Sequence, residues 1–259
     1  MQTTDATWSQ IQREVTLEAS KEPILASFLH ATILNHNNLN EALSYLLASQ
    51  LETQATPAML IRKIIDTALE KDPSILIAAN ADLHAVLARD SACKSLSTPL
   101  LFFKGYQALQ SHRVAHWLWQ NGRKEMALYL QHRNTLQFAV DIHPAAKIGA
   151  GVMLDHATGI VIGETAVVDD DVSLMQSVTL GGTGKIAGDR HPKIARGVMI
   201  GPGAKVLGNI QIGEGAKICA GSVVLKPVAP HTTVAGVPAS EVGCPESPSP
   251  SLEMNQGLY

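Results

Sequence analysis

Residues 142–185 carry a repeat and read IHPAAKIGAGVMLDHATGIVIGETAVVDDDVSLMQSVTLGGTGK. An aliphatic residue returns at nearly every sixth position, and the period resumes at residue 194 as IARGVM, IGPGAK, VLGNIQ, IGEGAK, ICAGSV and VLKPVA. The first position is Ile, Leu or Val in all thirteen units. A period of six suits neither an α-helix nor an alternating strand. It predicts short parallel strands wound into a three-sided prism, a hexapeptide parallel β-helix.

The period is broken twice, and each break contains a histidine. LDHATG is followed by two surplus residues, which we place after Gly159, and residues 186–193 form a loop, IAGDRHPK. An unbroken repeat is explained by packing, so chemistry is expected where the repeat is violated. A loop pushed out of a prism side would reach a neighbouring copy in a side-by-side oligomer. The two breaks therefore predict a composite site between subunits, with Asp155 and His156 facing a neighbour's loop.

His156 is the candidate general base at the first break. An imidazole with an ordinary pKa of about 6.5 suits proton transfer near neutral pH. Asp141 precedes it by fifteen residues, close to one coil, so the two are expected on adjacent coils near one corner as a His–Asp pair. Asp155 is expected to point to another face, where it is free for substrate. His143 is interpreted as structural.

The chain before residue 140 has helical spacing instead. ATPAMLIRKIIDTALE, DPSILIAANADLHAVLARD, STPLLFFKGYQALQSHRVAHWLWQ and NGRKEMALYLQHRN predict helices. His112 and His116 are interpreted as polar positions on one of them rather than as metal ligands. The predicted fold class is α+β, with an all-helical domain over residues 1–138, a left-handed parallel β-helix over 139–238, and a flexible tail rich in Pro and Ser over 239–259.

Composition excludes several classes of protein. The net charge is −3, so the basic excess of a general nucleic-acid-binding protein is missing. Three cysteines without CxxC spacing argue against a disulfide framework or a cysteine zinc site. No secretory signal and no run of eighteen apolar residues is present, which predicts a cytoplasmic protein outside the membrane.

Particular motifs resemble those of serine O-acetyltransferases, which are hexapeptide-repeat acyltransferases. They are DIHPAAKIG, LDHATGIVIGETAVVDDDVSLMQSVTLGGTGK, DRHPKI, GAKVLGNI and AGVPA, with STPLLFFKGYQALQSHRVAHWLW in the helical half. The hexad pattern alone is common to many acyltransferases, whereas LDHATG together with LGGTGK and DRHPK is specific. The resemblance covers roughly residues 70 to 240.

The resemblance implies transfer of an acetyl group from acetyl-CoA to the hydroxyl of L-serine in cysteine biosynthesis. It assigns His156 as the base with Asp141 as its partner. By position in the motifs, Asp90 and Asp155 would bind the serine ammonium, and Arg190 and His191 would bind its carboxylate. Direct attack on the thioester needs no covalent intermediate. Backbone amides of Gly182 and Thr183 are candidates for stabilising the oxyanion.

The coenzyme contacts are also assigned by resemblance. The implied residues are Gly182, Thr183, Pro202, Lys217 and Ala220. Pro202 stands where the family often has alanine. Most of the glycines are interpreted as corners of the prism, and Cys219 as a wall residue rather than a reactive thiol. No metal is expected in the site.

The resemblance further implies homotrimers or pairs of trimers, and feedback inhibition by cysteine. Bacterial members commonly end in isoleucine, which enters the active site of O-acetylserine sulfhydrylase. This chain ends in Tyr259, so we expect that complex to be disfavoured.

Three alternatives remain open from the residues themselves. A trimeric prism can hold zinc between histidines of adjacent subunits, and His156 and His191 are the available ligands, although a third is not evident. The chain can instead be a scaffold that only binds a sulfhydrylase. Within the acetyltransferases, the acceptor can be a sugar or another amino acid.

Overall fold

The computed structural model describes residues 3–184 and 187–257. Helices occupy the chain up to Phe138, the first strand begins at Val140, and one short helix follows the last strand. The helices are α1 (Thr4–Lys21), α2 (Ala26–Leu29), α3 (Leu39–Leu51), α4 (Ala58–Lys71), α5 (Ser74–Arg89), α6 (Ser97–Phe102), α7 (Lys104–Gln120), α8 (Lys124–Phe138) and α9 (Pro250–Glu253). A 3₁₀ turn (Pro23–Leu25) and a π turn (His30–Leu34) flank α2.

The strands form three parallel sheets, which are the sides of one prism. Side A contains β1 (Val140–Ile142), β4 (Ile160–Ile162), β7 (Thr179–Gly181), β10 (Lys205–Leu207) and β13 (Val223–Val224). Side B contains β2 (Lys147–Ile148), β5 (Val167–Val168), β8 (Lys193–Ile194) and β11 (Gln211–Ile212). Side C contains β3 (Met153–Leu154), β6 (Ser173–Leu174), β9 (Met199–Ile200), β12 (Lys217–Ile218), β14 (Thr233–Gly236) and the antiparallel β15 (Ala239–Gly243).

The register of side A confirms the hexad repeat. Val161 pairs with Thr179, and Lys205 pairs with Val223, each partner lying 18 residues on, which is three hexads. Asp141 pairs with Val161 after 20 residues, and Thr179 pairs with Lys205 after 26. One coil is therefore two residues longer than the regular coil and another is eight longer. The parallel solenoid is confirmed, while its left-handed winding stays a prediction of the sequence.

The two surplus residues of LDHATGIV are not the pair after Gly159, and that prediction is wrong. Ile160 and Val161 lie in β4 and pair with β1. The Thr158 carbonyl accepts from the Ser177 amide, just as the carbonyl of Gln176 accepts from Gly203 one coil later. Thr158 and Gly159 thus occupy the regular corner positions.

The inserted pair is consequently His156–Ala157. Both residues have a left-handed backbone, with φ of 53° and 60°. Ala157 is buried, whereas the side chain of His156 points to solvent.

The helical domain covers the first coil of the prism and is fixed there by a buried ion pair. Arg113 Nη2 on α7 lies 2.7 Å from Asp82 Oδ2 on α5. The same guanidinium donates to the carbonyls of Ile148 and Gly149 on the prism. Asp82 Oδ1 accepts from the Val152 amide at 2.9 Å. The pair therefore joins two helices to the backbone between β2 and β3 in the first coil.

The long helix predicted over residues 97–120 is split at Phe103, whose backbone is extended. The split lets the first turn of α7 rest on the corner that carries His156. At Gly105 the approach is so close that a Cβ would lie 2.0 Å from the Leu154 carbonyl oxygen. Lys104 donates to the Thr158 hydroxyl from the same turn. The segment that begins α7 thereby supports the inserted pair.

The interpretation of His112 as a polar surface position is wrong. His112 is 3% exposed, and its burial holds the pKa of the imidazole well below its usual value. His116 is half-buried and hydrogen-bonds the Pro144 carbonyl at 2.7 Å. Both histidines face the prism, because α7 packs against its first coil. Within the described ranges, no helix is long and apolar enough to cross a bilayer.

The predicted tail folds back along side C where it is described. The Ser251 hydroxyl donates to the Asp171 carbonyl at 2.6 Å, and the Ser251 carbonyl accepts from Ser173 Oγ at 2.9 Å. Met254 packs against the cluster of Val86, Cys93 and Met153. The flexibility of this segment stays a prediction, and Tyr259 lies outside the described residues.

Arg113→Met tests the clamp between the helices and the prism. The variant leaves the Asp82 carboxylate buried without its cation, and we expect the free energy of unfolding to fall by about 3–5 kcal/mol. Denaturant unfolding at fixed protein concentration measures the change. Arg62→Met is the matched control, because Arg62 and Asp66 form an exposed pair whose loss costs less than about 1 kcal/mol. Equal effects of the two substitutions would contradict the clamp.

Candidate functional site

The predicted site residues lie mainly on two edges of the prism. We call the turns that lead from side C to side A the CA edge, and those that lead from side A to side B the AB edge. Asp155, His156, Pro202 and Ala220 lie on the CA edge. The AB edge carries Gly182, Thr183, Arg190 and His191. Asp141 is on side A between them, Lys217 on side C, and Asp90 at the end of α5.

The CA edge presents His156 to solvent on a strained turn. Its side chain is 75% exposed, and Nε2 lies 3.9 Å from Asp155 Oδ1. A non-glycine residue in the left-handed region costs about 1–3 kcal/mol, and here two occur in succession. Hydrogen bonds on both sides hold the turn, from Asp155 N to the Leu174 carbonyl and from Gly159 N to the Ala139 carbonyl, each at 2.8 Å. The insertion thus projects an imidazole outward from a rigid frame.

Two carboxylates influence each other beside this imidazole. Burial raises the pKa of Asp155, the positive charge that His156 can carry lowers it, and the negative charge of Asp90 raises it again. Asp90 Oδ1 accepts from the Ala92 amide at 2.8 Å, which orients its carboxylate at the end of α5. A half-buried pair of acids close enough to repel each other favours a cationic ligand.

Asp141 is not joined to His156 in the single chain. Its Oδ1 accepts from Gln131 Nε2 of α8 at 2.7 Å. It points outward from side A, since its neighbours Val140 and Ile142 are buried. Among the described residues, only the carboxylate of Asp155 lies within ion-pair distance of the imidazole of His156. The His156–Asp141 pair therefore stays a prediction.

The AB edge holds His191 and Arg190 through Thr165 of the preceding coil. The Thr165 hydroxyl accepts from the backbone amides of Arg190 and His191 at 3.0 and 3.1 Å. His191 Nδ1 accepts from the Thr165 amide at 3.2 Å, which assigns the proton of the neutral ring to Nε2. A Cβ at Gly163 would lie 2.0 Å from this Nε2, so only glycine lets the ring lie there.

Charge on the AB edge is partly balanced within the chain. Arg190 Nη2 lies 2.6 Å from Glu164 Oε2, and this bond lowers the pKa of the Glu164 carboxyl. Burial is the main reason that the pKa of His191 is lowered, with the Arg190 charge adding to it. The edge thus offers a guanidinium and a neutral N–H donor, a combination suited to a carboxylate.

Side A separates the two edges within one chain. Gly159 and Gly163 flank β4, and four residues of extended strand span roughly 13 Å at ~3.3 Å per residue. A small ligand cannot contact Asp155 and Arg190 of the same chain across that distance. The two halves of the predicted site would therefore have to meet between copies.

The coenzyme candidates divide between the same two edges. On the CA edge, Pro202 and Ala220 follow Thr158 and Gln176 down the prism, and the Pro202 carbonyl accepts from the Gly221 amide at 2.8 Å. A Cβ at Gly221 would meet nothing within 4 Å, so this edge is open to a ligand lying against the backbone. Gly182 lies beside Arg190 on the AB edge.

Lys217 stands apart from these residues. It is buried on side C, and its Nζ donates to the Gly257 carbonyl of the tail. Its predicted contact with coenzyme stays a prediction.

Four supporting residues escaped the sequence interpretation. Glu164 and Thr165 hold the AB edge, Gln131 binds Asp141, and Lys104 supports the CA edge. Counting the eight-residue loop into its coil places Thr165 one turn above His191, so the hexad register was a usable signal for Glu164 and Thr165. Gln131 and Lys104 come from helices, whose docking the repeat does not encode.

Within the part of the chain that the structure describes, the histidines do not gather into a metal site. Among residues 3–184 and 187–257, no group of three or more His, Cys, Asp or Glu side chains could hold a metal ion. His143 stacks edge-on against Trp119, with ring centroids 5.0 Å apart, and its Nδ1 accepts from the Ala145 amide. These contacts support its interpretation as structural.

Comparison with known proteins gives close matches over nearly the full chain. A family model described as serine acetyltransferase, N-terminal, matches residues 7–111, and one described as bacterial transferase hexapeptide (six repeats) matches residues 191–226. The serine acetyltransferase of Salmonella typhimurium strain LT2 is 59% identical over 249 residues, covering 96% of this chain and 91% of that protein.

Solved structures agree in fold as well as in sequence. A serine acetyltransferase in complex with cysteine superposes with a TM-score of 0.97 at 54% identity, covering 98% of this chain and 99% of that one. A serine acetyltransferase from Brucella abortus strain S19 in complex with coenzyme A superposes with a TM-score of 0.91 at 51% identity, covering 92% and 96%.

The paired acids can be tested by titration. Asp90→Asn removes the like charge, so the pKa of Asp155 should fall toward its ordinary value, as followed by ¹³C NMR of labelled aspartate carboxyls. The pKa of Asp155 is higher in the folded than in the unfolded protein. The free energy of unfolding should therefore fall as the pH rises from the unfolded-state pKa through the folded-state pKa. The variant should show a smaller loss of stability over that window. Asp169→Asn, at an exposed aspartate on another edge, is the control and should leave the titration of Asp155 unchanged.

Proposed function

The chain belongs to the serine acetyltransferase family of acyltransferases, and we propose that it transfers the acetyl group of acetyl-CoA to the hydroxyl of L-serine. The products are O-acetylserine and CoA, as in cysteine biosynthesis. One observation carries the assignment of the site: the inserted His156 stands beside an acidic pair on one edge, while a guanidinium and an N–H donor stand on the other. The matching relatives supply the reaction class.

The two edges have complementary charge for a zwitterionic amino acid. Asp90 and Asp155 would bind the serine ammonium, whose positive charge relieves the repulsion between them. Arg190 and His191 would bind the serine carboxylate, with the guanidinium shared between the ligand and Glu164. The hydroxyl would then lie toward the exposed His156.

The site is completed by a second copy of the chain. Because side A separates the halves within one chain, the acids and His156 of one subunit would face Arg190 and His191 of its neighbour. Head-to-tail contacts of this kind close into a ring, and a trimer is the smallest ring of such prisms. Pairing of trimers through the helical domains would give a hexamer.

The reaction proceeds by direct transfer. His156 accepts the serine hydroxyl proton as the oxygen attacks the thioester carbonyl, and a C–O bond forms. The tetrahedral intermediate collapses with cleavage of the C–S bond, and the imidazolium returns the proton to the leaving sulfur. Asp141 would orient and stabilise the protonated ring of His156. The chain whose side A lies beside that ring would contribute this Asp141. Amides of Gly182 and Thr183 would stabilise the oxyanion.

Acetyl-CoA would lie along the CA edge. Thr158, Gln176, Pro202 and Ala220 follow one another there, and Gly221 leaves the backbone open. Its thioester end would lie beside His156, with Gly182 and Thr183 of the neighbour opposite. The coenzyme A complex of a relative supports this co-substrate.

Cysteine should compete with serine at this site. It presents the same ammonium and carboxylate and replaces the hydroxyl by a thiol, so the charge pattern of the two edges accepts both. The cysteine complex of a relative supports this proposal.

His156→Ala should reduce kcat by about a hundred to ten-thousandfold, because the hydroxyl loses its base. Thiol release from acetyl-CoA over a panel of amino-acid and sugar acceptors measures both the loss and the preference for serine. His132→Ala, at an exposed histidine of α8, should leave the rate unchanged. Preference for another acceptor, or stoichiometric zinc bound through the histidines, would contradict the proposal.

Mixed trimers test the shared site. His156→Ala and Arg190→Ala chains are each inactive alone, but a random trimer holds about a quarter of its sites with both residues intact. We expect activity to return when differently tagged variants are unfolded and refolded together, and to remain absent when folded proteins are merely mixed without exchange. A co-refolded mixture that stays inactive would place both residues in one subunit's site.

A further inference from the structure

Arg89 links the acidic pair to the second coil of the prism. It is the last residue of α5, and Asp90 follows it directly. Its side chain is 3% exposed, and Nη2 lies 3.4 Å from Asp171 Oδ1. Nη1 donates to Ser173 Oγ at 3.1 Å and to the Val172 carbonyl at 3.4 Å. The guanidinium thus crosses from the end of the helix to backbone and side chains one coil below Asp155.

These contacts are costly as a source of stability. Burial lowers the pKa of Arg89, which the charge of Asp171 only partly offsets. Within the described part of the chain, Nε of Arg89 has no hydrogen-bond partner. Replacing a buried ion pair by apolar side chains of similar volume is often neutral or stabilising. Packing alone therefore does not explain a guanidinium at this position. The long side chain of Arg89 and its polar partners on the second coil do explain it.

We propose that Arg89 is a positioning residue for the subsite that binds the serine ammonium, an inference that rests on the proposed function. Asp90 and Asp155 repel each other when no cation lies between them. Arg89 holds the C-terminal end of α5 against Asp171 and Ser173, and so keeps the Asp90 carboxylate beside Asp155. The subsite is thereby formed before serine arrives, and binding does not have to bring the acids together.

A second arginine on the same carboxylate provides the matched control. Arg196 Nη2 lies 2.6 Å from Asp171 Oδ2, and the side chain of Arg196 is 62% exposed. Arg196 lies in the turn that follows β8, far from Asp90 in the sequence. Arg89→Met and Arg196→Met each remove one cation from Asp171. Only the first removes the tie between the acidic pair and the prism.

The experiment compares L-serine with 3-hydroxypropanoate, which has the hydroxyl and carboxylate but no ammonium. Arg89→Met should raise the KM for serine about ten- to a hundredfold and change kcat less, with the KM for acetyl-CoA unaltered. Its preference for serine over 3-hydroxypropanoate should fall by a similar factor. Arg89→Lys, which retains a cation, should recover part of the loss and guards against misfolding of the Met variant. Arg196→Met should keep wild-type preference.

The pKa of Asp155 gives a readout that a purely structural role would not move. Displacement of Asp90 in Arg89→Met should lower the pKa of Asp155 in the ¹³C titration, as is also expected of Asp90→Asn. Reduced thermal stability with unchanged serine KM, unchanged preference and unchanged titration would overturn the inference. If the wild-type protein does not acetylate serine, the proposed function fails; if it does and Arg89→Met retains its preference, only the role of Arg89 fails.

Discussion

The buried ion pair between Asp82 and Arg113 sets the relation between the two halves of the molecule. A solenoid has an open end, and here α5 and α7 cover that end through one carboxylate and one guanidinium that also bind the carbonyls and an amide of the first coil. Separating a buried ion pair leaves an uncompensated charge, so a docking that parted Asp82 from Arg113 would be strongly unfavourable. The end of α5, with Asp90, is thereby fixed above the CA edge.

The same docking explains how the prism tolerates a break in its repeat. His156 and Ala157 both adopt left-handed backbone, which is unfavourable for residues other than glycine. The first turn of α7 lies over them, with Gly105 against the Leu154 carbonyl and Lys104 on Thr158. The helical domain therefore acts as a support for the strained corner, and the corner in turn projects the imidazole that we propose as the general base.

Electrostatics divides the site in two. Acids lie on the CA edge and the cation with its N–H donor on the AB edge, so neither edge alone satisfies a zwitterion. A chain that folds correctly but remains alone would hold both subsites, too far apart to bind one serine molecule together. This arrangement ties the proposed activity to assembly, since the distance across side A cannot be shortened without unwinding the strand that separates the edges.

The repeat could be recognised from the sequence because an aliphatic residue at every sixth position suits a prism of short parallel strands and neither an α-helix nor an alternating strand. The two breaks and their histidines were visible for the same reason. The position of the two inserted residues was predicted wrongly, because LDHATGIV keeps an aliphatic residue in register whether the insertion comes before or after Gly159. Hydrogen bonds between coils were needed to identify the inserted pair as His156–Ala157. His112 was misjudged because α7 is covered on the face that its sequence makes polar. A local period contains no information about contacts between residues far apart in the chain. Such contacts decide how the helices dock, which residue binds Asp141, and where the Arg89 guanidinium lies.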